Sequence, residues 1–434
     1  MSARNRELFG LIPASLLVTA GFAGVFIQRS GALSNVSLTY GAIFLGLCLA
    51  GHIFIRMTLP NADPYLFPLV AVLASFGLVM IYRLDSTYAR QQAQWFVLGL
   101  ILFAVTVVIF RDYRKLERYR YVIVAVSLML MILPRFPVVG YAANGAYLGV
   151  RIPGLFVFQP PEFAKIGLVI FLASYLRDTR QLLVVGARRF LGITIPPFKH
   201  FGPVLVIWGA AMAILVLLSD VGTSIMFYGA LLAMLYVATN RVSFVVVGLV
   251  AAAIGFWYLG THIPHIHARV ETWLNPLSPK LYNSPLGSYQ VANALFAQAA
   301  GGLFGQGFGQ AVINFPGGGT LLPFANTDMI YAVITDELGL FGAAAVILTY
   351  LIFVWRGFKI AMLARDSFSK LLATGLTAMF ALQVFVIVGG VTRVIPLTGV
   401  TLPFVAYGGS SLLANFVLVA LLLLVSDRAR RPTQ

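Results

Sequence analysis

The chain has 434 residues, of which 60% are hydrophobic and only 10% are charged, and its formal net charge is +16. This composition excludes an ordinary soluble domain, in which about a quarter of the residues are charged. It predicts a membrane protein built from apolar helices.

Apolar runs of membrane-spanning length follow one another along the chain. A helix needs about 20 mostly apolar residues to cross the hydrocarbon core. Runs of this length predict helices because a helix satisfies its own backbone groups in lipid. We therefore predict an all-α polytopic fold with about twelve transmembrane helices and one large outer loop. The predicted spans are 9–28, 38–55, 66–82, 93–110, 121–138, 161–176, 203–219, 221–238, 243–260, 329–354, 371–391 and 411–425.

The basic residues are distributed unevenly over the connectors. With both termini in the cytoplasm, the inner connectors hold 21 of the 30 basic residues, the outer connectors hold eight, and Lys165 lies within a span. This is the positive-inside bias that orients membrane proteins. It places both termini in the cytoplasm and the basic tracts 111–120 and 177–189 at the inner surface, where they can contact anionic membrane lipids. The same distribution argues against nucleic acid as a partner.

One long polar segment, from 261 to 328, interrupts the apolar pattern. It contains Glu271, three histidines between 262 and 267, a glycine-rich stretch and Thr327-Asp328. Polar backbone of this length cannot be satisfied in hydrocarbon, so the segment must lie outside the bilayer. We expect the function of the protein to lie there. The histidines could hold a divalent cation or lie at the level of the lipid headgroups.

Charged side chains lie at the outer ends of two predicted spans in the middle of the chain. Glu162 and Lys165 are three residues apart and share one face of the sixth predicted helix. A lysine one turn into the membrane needs a partner, so Lys165 either pairs with Glu162 or binds an anion such as phosphate or pyrophosphate. Asp220 stands before the eighth span, and Thr223 supplies a hydroxyl that can cap that helix or hold water.

Further polar groups lie at the outer ends of the C-terminal spans. Asp328 stands just before the tenth span, where it could cap the helix or take part in chemistry. Asp336-Glu337 lie about two turns into that span and cannot both ionise freely without water or a cation. From Arg393 to Ser410-Ser411, proline and glycine interrupt the helical pattern, and hydroxyls can satisfy the freed backbone. This predicts a re-entrant or broken element around a buried polar cavity.

Taken in order, these motifs resemble those of the SEDS family, the RodA/FtsW/SpoVE group of cell-wall membrane proteins. The resemblance covers about 66–426, the ten-helix core of the family, and includes the long outer segment 261–328. It implies that 1–65 is a two-helix N-terminal addition and that 427–434 is a short cytoplasmic tail. The motifs that carry it are Gln159-Pro160-Pro161-Glu162 with Lys165, Asp220-Val221-Gly222-Thr223, Tyr289-Gln290, Gly301–Gly307, Asn326-Thr327-Asp328, Asp336-Glu337-Leu338-Gly339, Pro396-Leu397-Thr398-Gly399 and Tyr407–Ser411.

The resemblance implies a substrate, an activity and a partner. SEDS proteins polymerise lipid II, a disaccharide-pentapeptide on undecaprenyl pyrophosphate, into glycan strands outside the bacterial cytoplasmic membrane during division or elongation. A class B penicillin-binding protein cross-links the product. The pyrophosphate needs a cationic or metal-bridged site, so the expected cofactor is at most a divalent cation, with no organic cofactor. The residues expected to bind substrate are Lys165, Glu162, Gln290, Asp328, Arg393, Ser410 and Ser411.

The large loop departs from the family pattern. Family polymerases carry an essential aspartate there, between a Trp-x-x-Pro pattern and Gly-Tyr-Gln. This chain has Trp273-Leu274-Asn275-Pro276 and later Tyr289-Gln290, with no Asp or Glu between Pro276 and Gln290. Counting forward from Pro276 puts Pro279 at the position of the family aspartate, and counting back from Gln290 puts Ser284 there. Neither side chain can act as a carboxylate base.

Two hypotheses follow from this departure. In the first, the missing base is replaced by Glu271, the nearest outer carboxylate, or by Asp220. Glu271 could instead pair with Arg269 or remain a solvated charge. In the second, the chain keeps the lipid II groove and is a catalytically silent scaffold or a lipid II transporter. The ordered motif set favours the first hypothesis, and the missing aspartate favours the second.

Overall fold

The computed structural model describes residues 3–30, 35–136, 139–143, 146–152, 156–185, 188–190, 193–195, 198–284, 287–315 and 319–432. Helices dominate this part of the chain. They are α1 (Ala3–Gly10), α2 (Ile12–Ser30), α3 (Asn35–Thr58), α4 (Leu66–Leu84), α5 (Ser86–Ile109), α6 (Arg120–Ile132), α7 (Pro160–Val185), α8 (Phe198–Leu217), α9 (Val221–Thr239), α10 (Val242–His262), α11 (Pro264–Leu274), α12 (Pro279–Tyr282), α13 (Tyr289–Gly301), α14 (Ile330–Leu363), α15 (Ser367–Val391) and α16 (Gly409–Arg430).

The helices account for the predicted spans. Among the described residues, nine helical stretches are long and apolar enough to cross a membrane, and they match nine of the twelve predicted spans. The other three, 121–138, 161–176 and 203–219, fall mainly on α6, α7 and α8. The polytopic helical fold is therefore confirmed.

Two small antiparallel sheets were not predicted. Strands β1 (Gly140–Ala143), β2 (Ala146–Ile152) and β3 (Phe156–Phe158) form one sheet, in which Val150 pairs with Gly140 on one side and with Phe158 on the other. Strands β4 (Arg188–Phe190) and β5 (Ile193–Ile195) form a second hairpin. The first sheet has a signal in the sequence: aromatic and β-branched residues flank an Asn-Gly pair, which is typical of a hairpin turn. That pair itself, Asn144-Gly145, lies outside the described residues.

The chain forms two compact units. The first comprises Met1–Arg111, Glu271–Arg356 and Gln383–Gln434, and the second comprises Asp112–Val270 and Gly357–Leu382. Small residues allow close helix packing inside each unit. In the first, a β carbon on Gly99 of α5 would lie 2.2 Å from the ring of Phe416 in α16. In the second, a β carbon on Gly375 of α15 would lie 2.6 Å from the sulfur of Met234 in α9.

A buried ionic cluster joins three parts of the first unit. Asp63, which is fully buried, accepts hydrogen bonds from Arg356 of α14 and Arg430 of α16. Asp427 accepts the backbone N–H of Asn61 at 2.9 Å. A buried carboxylate is tolerated only with such partners, because an unpaired charge would be costly. The cluster therefore fixes the 59–65 turn against the ends of both helices.

The segment 261–328, which we call the long connector, is more regular than a loop. It contains α11, α12 and α13, and the described residues that follow, 302–315 and 319–329, are irregular. The second of these ranges leads into α14, whose backbone breaks at Gly339 (φ 64°, ψ −168°). The long connector therefore presents its polar residues from helix ends and turns.

Candidate functional site

A cleft of about 570 Å³ opens beside the C-terminal end of α11 in the first unit. Glu271, Lys280 and Arg393 line it together with residues 274–278 and Leu281. All three charged side chains belong to exposed residues. Among the described residues that line the cleft, Glu271 is the only one with a carboxylate. The cleft therefore combines one potential base with two cations.

Neither position expected for the family aspartate supplies a carboxylate, but Glu271 lies close to that stretch. Ser278 and Lys280, on either side of Pro279, line the same cleft as Glu271. Ser284 is exposed and its backbone N–H donates to the carbonyl oxygen of Leu281 at 3.2 Å. Pro285 and Leu286 lie outside the described residues. Glu271 thus lines the same cleft as the residues on both sides of Pro279, one of the two positions expected for a carboxylate.

Arg393 ties the segment after α15 to the end of α11. Its Nε donates to the carbonyl oxygen of Trp273 at 2.8 Å, and its Nη2 donates to that of Leu274 at 2.9 Å. The indole Nε1 of Trp273 donates back to the carbonyl oxygen of Arg393 at 3.1 Å. These bonds satisfy the last carbonyls of α11, whose partial negative charge attracts a cation. Arg393, predicted to bind substrate, also fixes the helix that carries Glu271.

The backbone of Arg393 is itself unusual. Its φ of 62° lies in the left-handed region, which is uncommon for a residue with a β carbon. Such strain persists only where surrounding contacts hold it, and it is often found at functional sites. Here the reciprocal bonds with Trp273 supply that restraint.

Gln290 lies in the first turn of α13. Its side-chain Nε2 is buried and has no hydrogen-bond partner in the described part of the chain, and the same is true of the hydroxyl of Ser288, the residue before the helix. A buried donor without a partner is costly. The predicted role of Gln290 in substrate binding would give its donor a use.

Asp328 lies in the turn before α14, against the irregular segment 392–408. A β carbon built on Gly399 would lie 3.5 Å from Oδ2 of Asp328. Nearby, the backbone N–H of Tyr407 donates to the carbonyl oxygen of Asn326 at 2.8 Å. The turn and the irregular segment are thus joined by a hydrogen bond. The non-helical backbone of 392–408 agrees with the predicted broken element between Arg393 and Ser411.

Ser410 and Ser411 begin α16 and are buried. The hydroxyl of Ser411 accepts a hydrogen bond from Nε2 of Gln383 at 3.1 Å, and the same amide donates to the carbonyl oxygen of Thr401 at 3.0 Å. The side-chain amide of Asn415 also donates to the carbonyl oxygen of Ser411. Ser411 therefore makes hydrogen bonds to other buried residues of the first unit.

The second unit holds the other predicted charged site. Lys165 is 1% exposed, and its Nζ donates to a carboxylate oxygen of Glu162 at 2.8 Å. This is the pair that their spacing on α7 predicts. Of the two alternatives for Lys165, the geometry fits the pairing with Glu162 better than an open anion site.

Asp220 caps α9 in the same unit. Its Oδ1 accepts the backbone N–H of Thr223 at 3.0 Å, and its Oδ2 accepts the Thr223 hydroxyl at 2.7 Å. Burial raises the pKa of the Asp220 carboxyl, whereas the bonds from Thr223 and the positive charge of Arg269 lower it. The carboxylate of Asp220 therefore caps the helix, and the Thr223 hydroxyl, which was predicted to cap it or to hold water, donates to that carboxylate instead.

The cation beside the carboxylate pair Asp336-Glu337 is Arg83, which belongs to none of the motifs and contacts Glu337. Oε1 of Glu337 lies 2.6 Å from Nε of Arg83 at the end of α4, and Oε2 accepts the backbone N–H of Gly309 at 2.9 Å. Arg83 also donates to the carbonyl oxygens of Gly309 and Ala311. The only signal in the sequence was a lone arginine at the end of an apolar span.

Two of the three histidines contact nearby backbone carbonyl oxygens of α10. Nδ1 of His262 lies 2.9 Å from the carbonyl oxygen of Tyr258, and Nδ1 of His267 lies 2.9 Å from that of Gly260. Burial lowers the pKa of His265. Within the described ranges, no group of three or more His, Cys, Asp or Glu residues is arranged to hold a metal ion. The divalent cation stays a prediction.

Comparison with protein families gives a match over most of the chain. A family model that covers FtsW, RodA and SpoVE and is described as "Cell cycle protein" matches residues 64–431. The peptidoglycan glycosyltransferase RodA of Mycobacterium leprae is 39% identical over 440 residues, which cover 99% of this chain and 91% of that protein. The stage V sporulation protein E of Bacillus subtilis is 32% identical over 381 residues, covering 85% of this chain and 98% of that protein.

Two solved structures are also similar to this chain over most of its length. A chain from a peptidoglycan synthase complex, solved in a study of how polymerization and crosslinking are coordinated, superposes with a TM-score of 0.68 and 25% identity, covering 86% of this chain and 99% of that one. The rod shape determining protein RodA of Thermus thermophilus superposes with a TM-score of 0.59 and 25% identity, covering 86% and 98%.

Proposed function

Because this chain belongs to the FtsW/RodA/SpoVE family, we propose that it is a peptidoglycan glycosyltransferase that polymerises lipid II into glycan strands. The observation that carries the proposal is the likeness, over nearly its whole length, to a protein named for that activity. The cleft beside α11 adds the chemical groups that such a reaction needs.

In the proposed reaction, Glu271 takes the proton of the acceptor sugar hydroxyl. The hydroxyl oxygen attacks the anomeric carbon of the donor, a new glycosidic bond forms, and the bond from that carbon to the pyrophosphate oxygen breaks. Lys280 and Arg393, which line the same cleft, balance the charge of the leaving pyrophosphate. A divalent cation bound at this cleft would supply further positive charge for the leaving group.

The proposed site faces the outside of the bacterial cytoplasmic membrane. Both termini then lie in the cytoplasm, as the distribution of basic residues predicts. The lipid tail of the substrate stays in the bilayer while its sugar and pyrophosphate reach the long connector. The proposed partner is a class B penicillin-binding protein, and its support is the superposition on a chain from a peptidoglycan synthase complex.

A second candidate function is a catalytically silent protein that binds, scaffolds or moves lipid II. The observation in its favour is the absence of any Asp or Glu between Pro276 and Gln290. In this case the donor of Gln290 and the cations of the cleft still bind the substrate, but no proton is taken.

Polymerisation of labelled lipid II by the purified chain, alone and with a class B penicillin-binding protein, tests the proposal. We expect glycan strands in at least the second reaction. If wild type makes none in either reaction and Ser284→Asp gains activity, the chain is the silent protein. The matched control is Ser278→Asp, which adds a carboxylate within the cleft at a position that neither count assigns to the family aspartate.

A further inference from the structure

The glycine-rich turn of the long connector, residues 305–311, is held by side chains from three other elements. The carbonyl oxygen of Gly309 accepts Nε2 of Gln28, at the end of α2, at 2.6 Å, and Nη2 of Arg83 at 2.8 Å. Its N–H donates to Glu337 of α14 at 2.9 Å. The backbone of one residue, Gly309, thus engages three side chains.

Two of these three side chains lie inside the part of the chain that matches the family, and one lies before it. Arg83 and Glu337 lie within the residues that the family model matches, whereas Gln28 lies before residue 64, where that match begins. Helix α2, which belongs to the predicted N-terminal addition, therefore supplies one of the three bonds that hold the turn.

A second contact joins α2 to the same turn. A β carbon built on Gly24 would lie 3.5 Å from the ring of Phe308, so the ring lies over the bare backbone of α2. A β carbon on Gly309 would lie 1.7 Å from Oε1 of Gln28, and the φ of Gly309 is 82°. The close approach of Gln28 to the turn therefore requires glycine at 309.

The added helices are themselves firmly attached. A β carbon on Gly21 of α2 would lie 2.6 Å from the side chain of Val79 in α4, which shows how closely the two helices pack. At the other end of the pair, a β carbon on Gly51 of α3 would lie 2.5 Å from the ring of Phe67 in α4. A support fixed at both ends can restrain what it contacts.

We propose that the two added helices brace the glycine-rich turn through Gln28 and Gly24, and that this restraint sustains the rate of glycan synthesis. The effect on synthesis rests on the proposed function, whereas the restraint of the turn does not. The brace gives a role to the helices that precede residue 64, where the family match begins.

The restraint can be measured from the accessibility of Ala311, which is 8% exposed and whose carbonyl oxygen Arg83 also binds. The background is Cys48→Ala with Ala311→Cys, so that the reporter is the only thiol. The test variants are Gln28→Glu, which keeps the size and removes the donor, and Gly24→Leu, which displaces Phe308. The control is Ser15→Ala, since that hydroxyl donates within α2 to Ile12 at 2.9 Å.

We expect Gln28→Glu to raise the rate of maleimide labelling at position 311 about threefold to tenfold, because loss of one hydrogen bond makes local opening easier by that factor. Gly24→Leu should also raise the labelling rate, because it displaces the ring of Phe308. The control should label as wild type does. In the same variants, lipid II polymerisation should fall by a similar factor.

The labelling and polymerisation arms answer separate questions. Unchanged labelling in both test variants would overturn the brace. Faster labelling with unchanged polymerisation would overturn its link to synthesis. If wild type polymerises nothing, the proposed function fails, and the labelling rates still decide whether the brace exists.

Discussion

At the scale of single residues, the pair of Arg83 and Glu337 shows how a buried carboxylate is stabilised. Glu337 is 1% exposed, and its two oxygens contact Arg83 and the backbone of Gly309. Removing one partner of such a pair leaves a buried charge uncompensated. Arg83→Ala should therefore lower the free energy of unfolding by about 3–5 kcal/mol, seen as a lower thermal midpoint in detergent.

Two comparisons test the origin of that loss. Arg90→Ala removes an exposed arginine and should leave the midpoint near that of wild type. Arg83→Met combined with Glu337→Gln removes both charges and should recover much of the loss. If the double variant is as unstable as Arg83→Ala, the uncompensated charge is not the cause.

Arg393 offers a second test at this scale. Lysine keeps the positive charge but cannot reproduce two directed bonds to the carbonyls of Trp273 and Leu274. If Arg393 positions the helix of Glu271, Arg393→Lys should lower kcat about tenfold or more with little change in KM. Arg393→Lys should also change the fluorescence of Trp273, which is the part of the tryptophan signal that Trp273→Phe removes. A raised KM with unchanged kcat and fluorescence would show instead that Arg393 acts as a cation for the substrate.

At the scale of elements, the break in α14 depends on Gly339. Its φ of 64° with ψ of −168° is a conformation that only glycine adopts easily, and a β carbon there would lie 2.4 Å from the carbonyl oxygen of Leu303. Gly339→Ala should cost about 1–3 kcal/mol from backbone strain alone, before the clash is counted. Thermal unfolding in detergent measures this loss of stability.

Gly255 provides the matched control. It lies inside α10, and a β carbon there would meet no described atom within 4 Å. Gly255→Ala should be neutral or stabilise the helix by about 1 kcal/mol, because alanine is the better helix former. Equal loss in both variants would contradict the assigned role of the break.

The elements also show what the sequence can and cannot predict. Apolar runs predict helices well, because lipid leaves the backbone few alternatives. The i to i+3 spacing likewise predicted the pair of Glu162 and Lys165, which lie on one helix. The contact of Arg83 with Glu337 joins residues far apart in the chain, so no local pattern contains it. The role of Arg393 depends on the end of α11, a helix that the polar composition of the long connector does not predict.

At the scale of the whole molecule, the orientation in the membrane is the first matter to test. Cys48 is the only cysteine and is 1% exposed, so an introduced thiol can be detected cleanly. Ser284→Cys, in the long connector, should react with a membrane-impermeant maleimide in intact cells. Arg241→Cys, between α9 and α10, should react only after lysis. The reverse pattern would place the cleft on the cytoplasmic side and exclude the proposed site.

The most direct test of the account is the rate at which Glu271→Gln polymerises labelled lipid II in the presence of a class B penicillin-binding protein. Glutamine keeps the size and hydrogen bonding of the side chain but cannot take a proton. We predict a loss on the order of a hundredfold or more, with lipid II binding retained and with partial recovery in Glu271→Asp. Wild-type rates in Glu271→Gln would contradict the assignment and move the search for the base to Asp220 and Asp328.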